Sequence, residues 1–453
     1  MKIAIVSHQP TVGGLTRFML ALVHHLALSD ASLELTLFAH PLIAASDGVA
    51  KLTERASNIE VVVVSDRAIA GPPKGSTKTQ PGTSQIERGR LWRGTRWLAR
   101  RSDWSYRLAA ETSTAVRSLR HTSGKPWYLF AFPKHVLDAL NTYDLVYFSM
   151  PFFMEPASIS VPVVATVHDF NHMHFPQNFT KDMIAAMRRQ SEYWFSHFDM
   201  VVNSTPFMER ETWSLYRTSV NRTSVIYLPP YSFDSIDKDL ARRTVDKLRL
   251  PQEYILYPAQ SGRHKNIITF LRAMERLKGS GRFIPFVITG VGIDSLGQPG
   301  LFIPPTSPLS EPHRFLLSSS LSRGIDYCFP GYVSDHEIDC ITRCARLTVS
   351  TSLYEAGCGP ALDGWQLEVP VAMSNIPPYL EQMRFLKTDA WLFDPNDPDD
   401  VAARVDQALS DHERSAAMVR QSREAIGRYS WWDAATLYRN ALEKAVRMHR
   451  SFL

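Results

Sequence analysis

An α/β fold built as two doubly wound units in series is predicted by three observations. Short β-branched apolar runs alternate with helix-period stretches from the first residues onward, the alternation restarts after a charged segment near mid-chain, and 453 residues exceed what one hydrophobic core usually serves. Runs apolar on both faces mark parallel strands that helices cover on each side. Hydrophobic residues at 44% and charged residues at 21% leave ample material for two cores and exclude a disordered chain.

The first unit opens with "KIAIVSH", a short strand followed by a Gly-Gly turn and the helical pattern of "GLTRFMLALVHHLA". Further strands are predicted at "LELTLFA", "IEVVVVS", "YDLVYFS", "VPVVATVHD" and "FDMVVNS", with a helix over "KDMIAAMRRQSEYWFSHF". A join is expected near residues 230–245. The second unit then reads as strand "YILYPAQ", helix "KNIITFLRAMERLKG", strand "PFVITG", strand "IDYCFPGYV" and helix "DHEIDCITRCA". Strand "RLTVSTS", a helix from about Gly359, strand "PVAMSN" and helices within residues 397–448 complete it. Residues 66–84, rich in Pro, Gly, Ser and Thr, are expected to be a mobile loop, and residues 294–312 a second irregular insertion.

Charge and cysteine content narrow the function classes. The net charge is only +5, but seven arginines and three tryptophans (Trp92, Trp97, Trp104) fall between Arg88 and Arg107. That mixture suits an anionic membrane surface at residues 85–107, with a solvated basic surface as the plain alternative; no recognised module supports nucleic acid as a partner. Cys328, Cys340, Cys344 and Cys358 form no CxxC pair, so no disulfide framework is expected. No stretch approaches the 18 apolar residues of a membrane span, and the N-terminal apolar run is too short for a signal peptide. A cytoplasmic protein, peripheral on the inner face of the cytoplasmic membrane, is the expectation. Oligomeric state is not legible.

Ligands bind open parallel sheets at the carboxyl ends of strands, which singles out four loops. In "SHQPTVGGLTR", Gly13 and Gly14 lead into a helix whose free N–H groups attract anions, but no third glycine completes a dinucleotide fingerprint. The loop "TVHDFNHMHFP" carries His168, Asp169, His172 and His174. Its spacing is not that of a zinc site, so a single cleft-facing histidine is read there and no metal is expected. Arg263, His264 and Lys265 in "YPAQSGRHKN" stand at a helix start, where cations and N–H groups jointly hold a diphosphate. In "YEAGCGPALDGW", Gly357 and Gly359 permit close backbone approach to a ligand, Pro360 suits a first helical turn, and Glu355 and Asp363 are positioned to face one pocket. Two acidic runs, Asp237–Asp239 and Asp397–Asp400, read as helix starts rather than metal sites.

Taken in order, "VGGLTR", "VHDF", "YPAQSGRHKN", "GYVSDHEI", "YEAGCGPALDGW" and the closing "YSWWDAATLYRNAL" resemble retaining nucleotide-sugar glycosyltransferases of the GT-B fold, family 4 (group 1), and among them mannosyltransferases of bacterial surface polysaccharide assembly. The resemblance implies a Rossmann-like acceptor domain (residues 1–235, with a mobile insertion at about 66–107), a Rossmann-like donor domain (236–428) facing it across a cleft, and a helix (429–453) that crosses back to the first domain. It implies a metal-independent hexosyltransferase without cofactor, moving a hexose, mannose by this likeness, from a nucleotide diphosphate sugar to a saccharide or lipid-linked acceptor. A sugar-nucleotide epimerase and a non-catalytic nucleotide-sugar-binding scaffold share the architecture.

Carried onto this sequence, Lys265 would hold the diphosphate, Glu355 would contact the transferred sugar, and His168 would lie beside the reacting carbon. Asp363 would bind the ribose, Tyr332 and Val333 would flank the base, and Gly14 would line the donor from the first domain. Amides of Gly357, Cys358 and Gly359 would touch sugar and phosphate. Gln260 replaces the family's arginine, which passes its charge to Arg263 or to Lys265 alone. Asp363 is one methylene shorter than the family's glutamate, and Gly357 replaces an aromatic residue, which is expected to widen the sugar pocket.

Overall fold

The computed structural model describes residues 1–8, 13–64, 130–231 and 236–451. The expected insertion at 66–107, with its arginine- and tryptophan-rich stretch 85–107, lies outside the described residues.

Seven parallel strands form the first sheet: β1 (Lys2–Ser7), β2 (Glu34–Ala39), β3 (Ile59–Val63), β4 (Leu145–Phe148), β5 (Val163–Val167), β6 (Met200–Asn203) and β7 (Thr223–Val225), in the order β3-β2-β1-β4-β5-β6-β7. Six parallel strands form the second: β8 (Ile255–Pro258), β9 (Phe286–Thr289), β10 (Tyr327–Gly331), β11 (Leu347–Ser350), β12 (Val371–Ser374) and β13 (Trp391–Phe393), in the order β10-β9-β8-β11-β12-β13. These are doubly wound sheets. Chain direction across each reverses at one switch point, β1/β4 in the first and β8/β11 in the second, and there the following loops diverge to opposite faces and leave a crevice.

The strand sequences are continuous apolar runs because both faces are covered. Every residue of β4, β5, β6, β11 and β12 is buried. Helices Gly14–Ser29 and Trp431–Ser451 share one core with the first sheet. Phe148, Trp194, Phe195 and Phe198 fill the opposite face, with Trp194 and Phe195 on helix Lys181–His197. In the second unit, helices Ile267–Gly279 and Pro398–Ser410 cover one face, while Lys238–Lys247 and Asp335–Cys344 cover the other. Helix starts follow local chemistry. Ser334 and Glu337 form a capping box, and Asp237 and Asp397 accept amide hydrogen bonds at their helix N-termini, as read from sequence. Of the irregular segment 294–312, the last three residues already belong to helix Ser310–Ser318.

Two crossings join the units, and they run together. Tyr429 Oη donates to the Tyr227 carbonyl (2.9 Å), Trp431 Nε1 donates to the Pro230 carbonyl (2.9 Å), and Tyr227 stacks on Phe385 at 3.9 Å. The C-terminal helix therefore returns to the first unit, packing Trp431, Tyr438 and Leu442 into its core. Trp431→Ala removes a buried indole and its hydrogen bond at this crossing. The expected cost is about 3–5 kcal/mol, read as a lower midpoint in denaturant unfolding.

Candidate active site

Lys265 and Glu355 meet at the switch point of the second sheet. Lys265 follows β8 in a single 3-10 turn, Arg263–Lys265, after which Asn266 adopts φ 55°, a left-handed conformation that asparagine tolerates well. The Lys265 carbonyl accepts from the Tyr257 hydroxyl and from Thr351 Oγ1 (3.3 Å), so the segment following the neighbouring strand β11 holds the turn in place. Glu355 follows β11, and Leu353 in the same loop donates its amide to the His264 carbonyl (2.7 Å). Lys265 Nζ bonds Glu355 Oε1, which also accepts from Ser352 Oγ (2.9 Å). The two side chains are only 16% and 15% exposed. Burial raises the Glu355 pKa, but Lys265, His264 and Ser352 more than offset it and hold the carboxyl below its ordinary value.

This loop plugs into the first unit through Tyr354, which is buried among first-unit residues. Its hydroxyl accepts the Phe170 amide (2.9 Å) and donates to Glu211 Oε2 (2.6 Å). Asn171 Nδ2 bonds His264 Nδ1 (2.9 Å), and the Arg263 amide donates to Asn178 Oδ1 (3.1 Å). The loop after β5 is thereby pinned against Lys265 and Glu355.

His168, immediately after β5, is half-buried with its Nε2 3.0 Å from the Ser149 carbonyl and its ring edge-on to Phe18 at 4.6 Å. A carbonyl only accepts, which puts the proton on Nε2 and leaves Nδ1 an acceptor. Burial lowers its pKa to about 4. Burial pushes Asp169 up to about 6; the Asn171 amide opposes this, Glu355 adds to it, and Lys265 opposes it. His172 sits among Phe152, Phe170 and Tyr216, and His174 bonds Glu211 at 2.5 Å. The three histidines thus take separate partners, and no metal-ligating cluster occurs among the described residues.

The remaining predicted residues fall into place unevenly. Asp363, one turn inside helix Gly359–Gln366, is buried, with Oδ2 3.1 Å from Arg17 Nη1 of the first unit. Gly359 lies beside the Tyr231 ring, over which the Arg17 guanidinium stands at 5.3 Å. Gly14 begins its helix, preceded by Gly13 at φ 154°, ψ −156°, a region only glycine occupies readily. Gln260 is exposed at the end of β8, and Tyr332 is half-buried after β10. Two expectations need correction. The Cys358 amide already donates to Gln382 Oε1 (2.7 Å), so it is not open to a phosphate. That same oxygen would lie 2.7 Å from a Cβ on Gly357, so the glycine admits Gln382 rather than widening the pocket. Val333 is buried in the core with Val245, Tyr254 and Ile341, leaving only its backbone for a base. Arg263 Nη2 donates to the Thr306 carbonyl (3.1 Å), tying down the insertion after β9. Sequence reading assigned no role to Arg17 or Tyr354, although both stand inside quoted motifs.

Residues 241–425, most of the second unit, match the family described as glycosyl transferases group 1. The chain is a GT-B glycosyltransferase resembling that group. The glycosyltransferase is 25% identical over 371 residues to the O-antigen chain mannosyltransferase B of Escherichia coli, covering 79% of this chain and 91% of that protein. Among solved structures it is similar to Anabaena HepE in complex with UDP and glucose (TM-score 0.61, 14% identity, 98% and 99% of the two chains). It is also similar to WaaG, a glycosyltransferase involved in lipopolysaccharide biosynthesis (TM-score 0.57, 12% identity, 97% and 99%). At these identities the structures show the fold.

The buried His264 sets a pH dependence on the interdomain contact. Burial holds its pKa at about 4, below the 6.5 of the unfolded chain, so its stabilising share is complete above pH 6.5 and is lost as pH falls toward 4. Asp169 acts in the opposite sense, losing its share as pH rises through about 6, but His172 reinforces His264. The thermal midpoint of the wild type is expected to fall between pH 7 and pH 5. His264→Gln should flatten that fall by on the order of 2 kcal/mol, measured by scanning calorimetry at both pH values.

Proposed function

We propose that this glycosyltransferase moves a hexose, specifically mannose, from a nucleoside diphosphate sugar to a saccharide or lipid-linked saccharide acceptor, with retention, in surface polysaccharide assembly. The observation that carries the reading is the Lys265–Glu355 pair at the carboxyl ends of β8 and β11. Likeness to a curated mannosyltransferase over most of both chains supports the sugar. The arginine- and tryptophan-rich stretch 85–107 would bring a cytoplasmic enzyme to the inner membrane face, where a lipid-linked acceptor resides.

In this reading the bond between the anomeric carbon and the diphosphate oxygen breaks early, spreading positive charge over the sugar ring and leaving negative charge on phosphate. Lys265, Arg263 and the N-terminus of helix Gly359–Gln366 meet that negative charge without a metal or cofactor. Lys265 exchanges Glu355 for phosphate when the donor enters. Glu355, ionised at neutral pH, then accepts hydrogen bonds from sugar hydroxyls, and the Nδ1 of neutral His168 accepts another. Asp363 takes the ribose, the backbone at Tyr332 and Val333 lies along the base, and Gln260, Gly14, Gly357 and Gly359 line the donor without adding charge. The acceptor hydroxyl attacks from the face the diphosphate leaves, and a phosphate oxygen receives its proton.

Two measurements test this. Lys265→Ala and Glu355→Gln should each lower turnover by roughly 100-fold or more while circular dichroism stays unchanged; full activity in either removes the site assignment. In a thermal-shift panel of nucleotide sugars, the true donor at 100 times its Kd should stabilise the protein by about 2.7 kcal/mol. Release of an epimerised sugar nucleotide without acceptor would make the chain an epimerase, and no stabilisation by any nucleotide sugar would make it a scaffold.

A further inference from the structure

Arg17 is the only first-unit side chain among the described residues for which an ion pair to Asp363 is seen. It lies in the first turn of helix Gly14–Ser29, is 14% exposed, and spans the cleft to three carboxylates of the second unit. Nη1 bonds Asp363 Oδ2 at 3.1 Å, Nη2 bonds Asp339 Oδ1 at 3.2 Å, and Nε stands 3.7 Å from Asp335 Oδ1. Burial opposes its charge, but Asp363, Asp339 and Asp335 together raise its pKa, so the guanidinium is cationic at every working pH. Asp339 and Asp335 belong to one helix and Asp363 to the next, so a single side chain gathers two donor-domain elements onto the first unit.

The second observation is an atom left over. Asp363 Oδ1, on a residue 7% exposed, is buried without a hydrogen-bond partner. An acceptor-only carboxylate oxygen shut away from water is unfavourable, and only a hydroxyl or N–H supplied from elsewhere relieves it. In this arrangement Asp363 is bonded to the first unit at Oδ2, while its other oxygen is left without a partner.

We infer that Arg17 is a positioning residue that couples donor binding to closure of the cleft: Asp363 is shared, with Oδ2 held by Arg17 and Oδ1 satisfied by a ribose hydroxyl of the nucleoside diphosphate. The inference rests on the donor site proposed above. Without nucleotide, the closed arrangement carries the stranded oxygen and is disfavoured relative to an open one in which water reaches Oδ1. With nucleotide, the ribose removes that penalty in the closed form only. A ligand shifts an equilibrium by its differential affinity for the two states, and here the difference is one hydrogen bond to a charged group.

The test is a cycle in ligand and protein. Affinities of the full chain for GDP, UDP and ADP, and for the 2′-deoxy and 3′-deoxy forms of whichever binds, are measured by calorimetry for wild type, Arg17→Lys and Arg17→Gln. Small-angle scattering follows closure. In the wild type, removing the ribose hydroxyl that meets Oδ1 should weaken binding roughly tenfold and abolish nucleotide-induced compaction. Arg17→Gln should still bind the ribonucleotide, more weakly, but the deoxy penalty should shrink to less than about threefold and compaction should be lost; Arg17→Lys should restore part of both. An equal deoxy penalty in wild type and Arg17→Gln, or unchanged compaction in Arg17→Gln, would overturn the coupling while leaving the donor site standing. Failure of the wild type to bind any of the three nucleotides would overturn the donor site and the coupling with it.

Discussion

The parallel pairing of β8 with β11 is the constraint on which the cleft depends. Because Leu347 lies opposite Ile255 in that ladder, the chain leaves both strands at the same edge, and the two following loops must separate to opposite faces of the sheet. One loop ends in Lys265 and the other begins with Glu355, so two residues 90 positions apart become an ion pair. Neither charge is free to relax into water. Removing one would leave the other poorly solvated, at a cost on the order of 3 kcal/mol, so the site is stable only as a pair or with a ligand of matching charge. A diphosphate for Lys265 and sugar hydroxyls for Glu355 are such matches.

Tyr354 and Arg17 do for the two units what the ladder does for the two loops. Tyr354 stands next to Glu355 in sequence but is buried in the first unit, where it accepts the Phe170 amide. Since Phe170 is two residues beyond His168, one hydrogen bond relates Glu355 to the only histidine of its loop that follows directly on a strand. Arg17 works further along the cleft, at Asp363. The crossings at residues 227–231 and 429–431, bonded to each other, join the units apart from these contacts.

Much of the fold was legible because a parallel sheet covered on both faces writes itself as uninterrupted apolar runs. β7 and β13, with three residues each, are too short to carry that signal and emerged only from their ladders with β6 and β12. The candidate site was legible in part for a similar reason. Loops that approach a ligand need glycine, helix starts and clustered charge, and Lys265, Glu355 and Asp363 all stand in such loops. Cys358 and Gly357 were read wrongly because local sequence does not tell which neighbour occupies a backbone amide or the space beside a glycine. Gln382, from helix Pro377–Leu386, settled both.

By itself the sequence determined two doubly wound units, the order of the cleft loops and the charge types those loops carry, since periodicity, glycine placement and ionisable residues are local properties. Only the tertiary structure decided which charges meet. The Lys265–Glu355 pair, the burial of Tyr354 in the opposite unit, and the span of Arg17 to Asp335, Asp339 and Asp363 all join residues distant in the chain. Their strength depends on distance and on exclusion of water, which exist only once β8 has paired with β11 and, for Tyr354 and Arg17, once the two units have packed together.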